Sequence, residues 1–333
     1  MLMSVGLLLA SAGAIYLFCE LFVNGVEWMG RALGIGRTAT GSILAAFGTA
    51  LPESVVTLVA TAFGAGDAER QIGIGAALGG PLALSTLAYG VVGLCLVAWG
   101  ARTERALPGV LEVDGRRLSR DQAWFLAVFA VKIALGVTVF AGKSWLGIVF
   151  LAAYGAYFWT ELRRDEASAG EEEVEPLLIR RHDATPHIGW ILAQTLGATV
   201  VIFVASHIFV GRLTVIAPWL GLPPQVTALL LSPIATELPE MMNALIWVRQ
   251  GKERLALANI SGAMMIQATI PTAFGLFFTP WILDRTLLVA AGVTALAIAC
   301  LLALFRRGRV RGATLARVGW LYALFGVLAL AVR

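Results

Sequence analysis

Residues 48–53 read Gly-Thr-Ala-Leu-Pro-Glu, and residues 235–240 read Ala-Thr-Glu-Leu-Pro-Glu. Each hexapeptide places a proline directly before a glutamate, and each lies near the middle of a long apolar stretch. A charged residue at the centre of a bilayer costs about 2.5–3.5 kcal/mol on insertion scales, so such residues are usually retained for a function. The two hexapeptides therefore indicate both the fold and the candidate site.

The hexapeptides end a longer internal repeat. With an offset of 187 residues, positions 20–53 align with positions 207–240 without a gap, and ten of the 34 pairs are identical. After a four-residue difference in the next loop, Gly79 aligns with Gly262. Five predicted spans separate equivalent points, and an odd number of crossings inserts the second copy in the opposite orientation. This is the inverted-repeat organisation of many secondary transporters.

The composition indicates a membrane protein. Of the 333 residues, 59% are hydrophobic and 14% are charged, whereas soluble domains contain about 25% charged residues. Runs of about 20 apolar residues, enough to cross the hydrocarbon core of a bilayer, recur along the chain. We predict an all-α membrane protein of about ten transmembrane helices in two inverted five-helix repeats. The predicted spans are 4–30, 39–63, 72–99, 124–141, 144–161, 188–211, 224–248, 255–278, 286–305 and 318–332.

Basic residues predict the orientation of the chain. Nineteen Lys and Arg residues lie in loops that follow odd-numbered spans, and five lie on the opposite side. Because cytoplasmic loops carry the excess of basic residues, both termini are expected on the extracytoplasmic side of the plasma membrane. The predicted units are residues 1–162 (first repeat), residues 163–187 (an acidic, solvated cytoplasmic linker) and residues 188–333 (second repeat). These loops explain the net charge of +4 without a nucleic-acid partner.

The hexapeptides contain the groups of a cation site. Proline lacks an N–H group and clashes with the preceding turn, so Pro52 and Pro239 are expected to break their helices and free carbonyl oxygens beside Glu53 and Glu240. Carboxylate, hydroxyl and carbonyl oxygens are the ligands of hard cations such as Ca²⁺, which takes six to eight of them at about 2.3–2.6 Å. A zinc or copper site is not expected, because no His or Cys lies near either motif.

Both hexapeptides resemble the α-repeat signatures of the cation/Ca²⁺ exchanger superfamily, in whose sodium/calcium exchangers the pattern is G-T-S-L-P-E. The resemblance covers nearly the whole chain and implies a sodium/calcium exchanger-like fold with inverted halves and an extracytoplasmic N-terminus. It implies that Glu53 and Glu240 coordinate the transported divalent ion. The other implied ligands are the hydroxyl or carbonyl oxygens of Thr49 and Thr236, and the carbonyls of Ala46 and Pro233 where the family binds sodium.

The chain departs from the family pattern at several ligand positions. The serine of each signature is replaced, by Ala50 in the first and by Glu237 in the second. The G-S-N-x-x-N/D motif of the third and eighth helices becomes Gly-Gly-Pro-Leu-Ala-Leu at 79–84 and Gly-Ala-Met-Met-Ile-Gln at 262–267. Gln267 is thus the polar residue at the Asn/Asp position. We include Glu237 and Gln267 among the candidate ion ligands, and a three-sodium stoichiometry is not implied.

The leading hypothesis is secondary active antiport of Ca²⁺ against Na⁺ by alternating access, with no enzyme activity, no cofactor and no nucleotide. The alternative is proton-coupled antiport of Ca²⁺ or another divalent cation, in which Glu237 takes up the coupling proton because it lies beside Glu240. A third hypothesis is a non-transporting membrane protein on a degenerate exchanger scaffold. Lys132, in the fourth span, is expected either to pair with a carboxylate or to extend to the membrane interface.

Overall fold

The computed structural model of the chain describes residues 2–32, 37–99, 110–165, 175–183, 185–249 and 251–332. Its α-helices are α1 (Leu2–Ala32), α2 (Arg37–Ala62), α3 (Asp67–Ala83), α4 (Tyr89–Trp99), α5 (Gly115–Val137), α6 (Gly147–Asp165), α7 (Ile188–Trp219), α8 (Pro224–Thr236), α9 (Leu238–Arg249), α10 (Glu253–Phe278), α11 (Arg285–Phe305), α12 (Gly312–Val318) and α13 (Trp320–Ala331). A π-helical segment, Leu84–Ala88, joins α3 to α4, and two short strands, β1 (Val110–Glu112) and β2 (Arg309–Arg311), form one sheet.

These helices form ten membrane-crossing segments, as predicted. The third consists of α3, the π-helical segment and α4, the seventh of α8 and α9, and the tenth of α12 and α13. Six of the ten are long and apolar enough by themselves to cross a membrane, and they contain α1, α3 with α4, α7, α10, α11, and α12 with α13. Large apolar side chains are exposed on the outside of these helices, including Leu9, Val97, Leu196 and Leu296. This outer surface suits contact with lipid.

Local signals in the sequence define several helix ends. Asp114 precedes α5, and its side chain accepts hydrogen bonds from the backbone N–H groups of residues 116 and 117. Asp284 caps α11 in the same way through the N–H group of Leu287. Such caps satisfy backbone donors that have no partner within the helix. Pro224 occupies the first turn of α8, where its missing N–H group costs nothing.

Contacts between loops show which helix ends share a face of the molecule. Strand β1 follows the third span and pairs antiparallel with β2, which follows the ninth. At the other face, the ammonium group of Lys143 donates to the carbonyls of Pro280 (3.1 Å) and Trp281 (2.9 Å), joining the loops after the fourth and eighth spans. The loops after the third and ninth spans therefore lie together, and so do the loops after the fourth and eighth spans.

The two repeats exchange neighbours. The first helices of both repeats, α1 and α7, pack along each other, while α2 packs against α10 and α3 packs against α8. The second span of each repeat thus contacts the third span of the other. Inverted repeats are related by a pseudo-twofold axis in the membrane plane, which produces this reciprocal packing. It brings the two hexapeptides to the interface between the repeats.

The expectation of two broken helices is correct for the second repeat and wrong for the first. The seventh span is interrupted at Glu237 (φ −98°, ψ −4°) between α8 and α9. In contrast, α2 runs through Pro52 without interruption. The difference follows from proline content, because Pro233 and Pro239 flank Glu237 on both sides whereas Pro52 is the single proline of α2.

The described end of the acidic linker is anchored to the first helices of both repeats. Asn24 on α1 donates to the carbonyls of residues 175 and 176, and its Oδ1 accepts from the N–H group of Leu178 (3.0 Å) and from Gln194 on α7 (2.9 Å). The Trp28 indole donates to the Glu175 carbonyl (2.9 Å), and Leu177 is fully buried. Most of the glutamate run, at residues 171–173, lies outside the described residues.

Candidate functional site

Three glutamates are fully buried in the membrane-spanning part of the fold. Glu53 lies on α2, Glu237 at the junction of α8 and α9, and Glu240 in the first turn of α9. The N-terminal end of a helix carries a partial positive charge, which favours a carboxylate at Glu240. Burying carboxylates is costly unless protons, cations or hydrogen bonds compensate them. The region therefore has the properties of a site that binds and releases positive charge.

The hydroxyl of Thr236 connects two of these carboxylates. Its Oγ1 lies 2.6 Å from Oε2 of Glu53 and 3.1 Å from Oε1 of Glu237. The same oxygen lies 3.1 Å from the carbonyl of Ser232, and the Ser232 hydroxyl donates to Oε2 of Glu53 at 3.3 Å. Sequence analysis missed Ser232, although its position one helical turn before Thr236 places it on the same face of α8.

Gln267 and Glu237 fill the space beside Gly80. The amide nitrogen of Gln267 donates to Oε2 of Glu237 at 2.6 Å, so α10 and the α8–α9 junction meet here. A Cβ atom added to Gly80 would lie 2.6 Å from Oε1 of Gln267 and 3.1 Å from Oε1 of Glu237. The glycine at position 80, where the family signature has serine, is therefore explained by two larger polar side chains that occupy the volume.

Among the buried oxygens of this site, Oε1 of Glu53 and Oε1 of Gln267 have no hydrogen-bond partner within the described residues. Buried polar atoms are normally satisfied, so such atoms require an explanation, for which an ion is one candidate. However, the described residues contain no group of three or more Asp, Glu, His or Cys side chains arranged around one metal position. Glu53, Glu237 and Glu240 therefore do not converge on a single point.

The structure describes only some of the carbonyl and threonine ligands that the family resemblance implies. The carbonyl of Pro233 is not free, because it accepts a hydrogen bond from the N–H group of Glu237 at 2.9 Å. Its second lone pair still allows it to face an ion. Ala46 and Thr49 belong to α2, whose backbone is helical there, but their side chains lie outside the described part of the chain. Thr236 lies between the carboxylates as described above.

Lys132 does not extend to the membrane interface. Its side chain is among the largest that are fully buried, and it interacts electrostatically with Glu53. The expected extension to the interface is therefore wrong, whereas the expected pairing with a carboxylate stays a prediction, because the hydrogen bond of Nζ goes to the backbone carbonyl of Ala77. Two other polar residues of the spans lie elsewhere, since Glu20 and His207 are exposed on α1 and α7.

Comparison with known proteins identifies the family. The family described as "Sodium/calcium exchanger protein" matches residues 3–162 and 190–332. Since the match covers most of the chain, the chain belongs to this family, and the resemblance seen in the two hexapeptides is confirmed. Its members are transporters, so the chain is a membrane-embedded cation/Ca²⁺ antiporter.

Individual relatives are distant. The chain is 24% identical over 291 residues to the inner membrane protein YrbG of Escherichia coli (strain K12), a match that covers 85% of this chain and 82% of that protein. Its structure is similar to the crystal structure of an H⁺/Ca²⁺ exchanger, CAX, with a TM-score of 0.73 and 16% identity over 99% of this chain and 87% of the other. It is also similar to the sodium–calcium exchanger NCX_Mj, with a TM-score of 0.58, 20% identity and 97% of each chain covered. These likenesses confirm the ten-helix inverted-repeat fold.

Proposed function

We propose that the chain exchanges Ca²⁺ for protons across the plasma membrane, with Glu53 and Glu237 as the carboxylates that bind both. The observation that supports the proton as coupling ion is the position of the Thr236 hydroxyl between these two side chains. A hydroxyl carries one hydrogen, yet Oγ1 of Thr236 lies within hydrogen-bonding distance of both carboxyl groups and of the Ser232 carbonyl. It can donate to only one of them.

The other short contacts of Oγ1 of Thr236 with oxygen atoms require a second hydrogen. If both carboxyl groups were ionised, Thr236 would face at least one carboxylate oxygen with no hydrogen between the two atoms. A proton on Glu53 or Glu237 supplies that hydrogen and removes the repulsion between two buried like charges. An entering Ca²⁺ needs both carboxylates in the ionised form, so cation binding and proton binding compete. Competition of this kind couples proton movement to Ca²⁺ movement in the opposite direction.

The other proposed ligands of the Ca²⁺ ion are neutral oxygens and the carboxylate of Glu240. In this proposal Gln267 turns its unpartnered Oε1 toward the ion, and Glu240, which does not converge with Glu53 and Glu237 in this structure, contributes a third carboxylate from the N-terminal turn of α9 once the site closes around the ion. The oxygens of Thr49, Ala46 and Pro233 complete the set that the family resemblance implies. Hard oxygen ligands of this number and charge suit Ca²⁺ and are poor ligands for softer metals.

The long helices α1 and α7 supply the moving part of the proposed mechanism. They pack along each other and also contact the helices that carry the hexapeptides. Movement of this pair relative to the rest of the fold opens the site to one side and then to the other. The excess of basic residues in the odd-numbered loops supports a cytoplasmic position for these loops and an extracytoplasmic position for both termini.

Sodium-coupled Ca²⁺ antiport is the second candidate. It is favoured by the match to the sodium/calcium exchanger family and by the buried Oε1 atoms of Glu53 and Gln267, which a small monovalent cation could bind. The two candidates differ in the gradient that drives transport, so a single experiment separates them.

The full-length protein in proteoliposomes is tested for uptake of radioactive Ca²⁺. We expect uptake when the vesicle interior is acidic and Na⁺ is equal on both sides, and little uptake from an outward Na⁺ gradient at equal pH. Glu237→Gln should abolish the proton-driven uptake. Asp67→Asn, which neutralises an exposed carboxylate in the first turn of α3, is the matched control and should transport normally. Uptake driven by Na⁺ and insensitive to pH would establish the sodium candidate instead.

A further inference from the structure

Lys132 on α5 contributes a buried positive charge that the function proposed above does not use. Its side chain is fully buried, and Nζ donates a hydrogen bond to the backbone carbonyl of Ala77 on α3 at 2.7 Å. A buried lysine ammonium group is costly without negative or polar partners. The identity of those partners therefore indicates what the residue does.

The Ala77 carbonyl is available because of a proline. In an α-helix this oxygen would accept a hydrogen bond from the residue four positions later, which is Pro81, and proline has no N–H group. Lys132 supplies the missing donor from a different helix. Pro81 and Lys132 thus form a complementary pair, in which one residue opens a carbonyl within the membrane and the other places a cation on it.

The remaining surroundings of the ammonium group are those of a bound cation. The rings of Phe129 and Trp281 lie 5.6 Å and 5.7 Å from Nζ, within the range of cation–π attraction. The negative charge that acts on Lys132 is that of Glu53, although no ion pair within 4.0 Å joins these two side chains, both of which the structure describes. A carbonyl oxygen, a carboxylate and two aromatic faces form a site that a free monovalent cation could also occupy.

We propose that Lys132 is a tethered monovalent cation of the transport site, which occupies the position that a free Na⁺ or K⁺ would otherwise take beside Glu53 and the Ala77 carbonyl. When the divalent ion leaves, the ammonium group compensates Glu53, so the empty site does not need a sodium ion at this position. The tethered charge also weakens divalent binding by repulsion. This inference rests on the proposed ion site at Glu53.

The test compares two neutral variants with a matched lysine control. Lys132→Met removes both the charge and the hydrogen bond to Ala77, whereas Lys132→Gln removes the charge and keeps a donor. Lys143→Met is the control, because Lys143 is another buried lysine that donates to backbone carbonyls, including those of Thr138 and Trp281, but lies in a loop. Ca²⁺ binding is measured by calorimetry on the full-length protein at increasing Na⁺ and K⁺ concentrations.

We expect both Lys132 variants to bind Ca²⁺ on the order of tenfold more tightly at low salt, because a nearby positive charge is removed. Na⁺ or K⁺ should then compete with Ca²⁺ in these variants and not in the wild type or in Lys143→Met. If Lys132→Met does not fold, Lys132→Gln alone reports the effect of the charge. Unchanged affinity without monovalent competition in a folded Lys132→Gln variant would overturn the inference.

Weaker binding in Lys132→Met together with wild-type behaviour in Lys132→Gln would also overturn it, since Lys132 would then only satisfy the Ala77 carbonyl. Glu53→Gln separates this failure from failure of the proposed site. If Glu53→Gln abolishes Ca²⁺ binding while the Lys132 variants behave like the wild type, the ion site stands and the tethered-cation role does not. If Glu53→Gln binds Ca²⁺ normally, both are wrong.

Discussion

The contact between Gly80 and the polar side chains beside it allows the ion site to be perturbed by a single methyl group. In Gly80→Ala, the new Cβ would lie 2.6 Å from Oε1 of Gln267, closer than any real Cβ contact. The Gln267 side chain is flexible at its end, so it moves away, and its 2.6 Å hydrogen bond to Glu237 is lost. The backbone of α3 has no reason to change.

The expected magnitude follows from the bond that is lost. A hydrogen bond to a charged group contributes about 1.5–3 kcal/mol, which corresponds to about 10- to 100-fold in affinity. We expect Gly80→Ala to weaken Ca²⁺ binding in calorimetry by up to this factor, because the displaced Gln267 no longer holds Glu237 in position, and to lower the thermal unfolding temperature while the protein remains folded, because a buried hydrogen bond is lost. Gly292→Ala on α11, where an added Cβ meets nothing within 4 Å, is the matched control.

A double-mutant cycle separates this explanation from a general disturbance of α3. In a Gln267→Ala background the clash is absent and the hydrogen bond is already lost, so Gly80→Ala should add little further effect. Wild-type Ca²⁺ affinity in a folded Gly80→Ala variant would refute the reasoning. Full additivity of the two substitutions would refute it as well.

Four further outcomes are expected. Ca²⁺ affinity should rise between roughly pH 6 and 8, because protons and Ca²⁺ compete for Glu53 and Glu237, and Glu237→Ser should flatten this dependence; a pH-insensitive wild type contradicts it. Glu53→Gln and Glu240→Gln should each nearly abolish Ca²⁺ flux in folded protein, with Asp67→Asn as the control. In a Cys300→Ser background, which removes the exposed native cysteine, cysteines at positions 117 and 307 should be labelled from the cytoplasm and one at position 143 from outside; labelling of all three from one side contradicts the topology. A cysteine that replaces the buried Leu177 should be protected from a water-soluble maleimide while Asn24 is present. When Asn24→Ala is added, the linker end should be released and this cysteine should become reactive.

The fold could be predicted because its signals are local and repeated. Apolar runs of membrane-spanning length define the helices, and the 187-residue offset relates the two halves without any knowledge of contacts. The interruption at Glu237 also has a local cause in two flanking prolines. The prediction of a second interruption at Pro52 failed because one proline can be accommodated in a long helix whose neighbours hold it in place.

The candidate site could be predicted only in part, because its contacts connect distant parts of the chain. Glu53, Glu237 and Glu240 stand out in sequence as carboxylates in apolar surroundings. The hydrogen bond from Thr236 to Glu53 joins residues 183 positions apart. That from Lys132 to the Ala77 carbonyl spans 55 positions. Neither pairing has a sequence spacing that would indicate it, so only the folded chain shows which polar groups contact each other.

The departures from the family pattern on α3 are each matched by a residue from another helix. Gly80 provides no hydroxyl, but Glu237 and Gln267 fill the adjoining volume with carboxylate and amide groups. Pro81 removes a backbone donor, and Lys132 supplies one together with a positive charge. A position-by-position comparison with the family motif therefore shows only the lost polar groups, although residues distant in sequence supply polar groups at the same place in the folded structure. For this reason Gly80→Ser alone should disturb the site. When it is combined with Glu237→Ser, one of the two side chains that block the new hydroxyl is gone, so the site should be disturbed less.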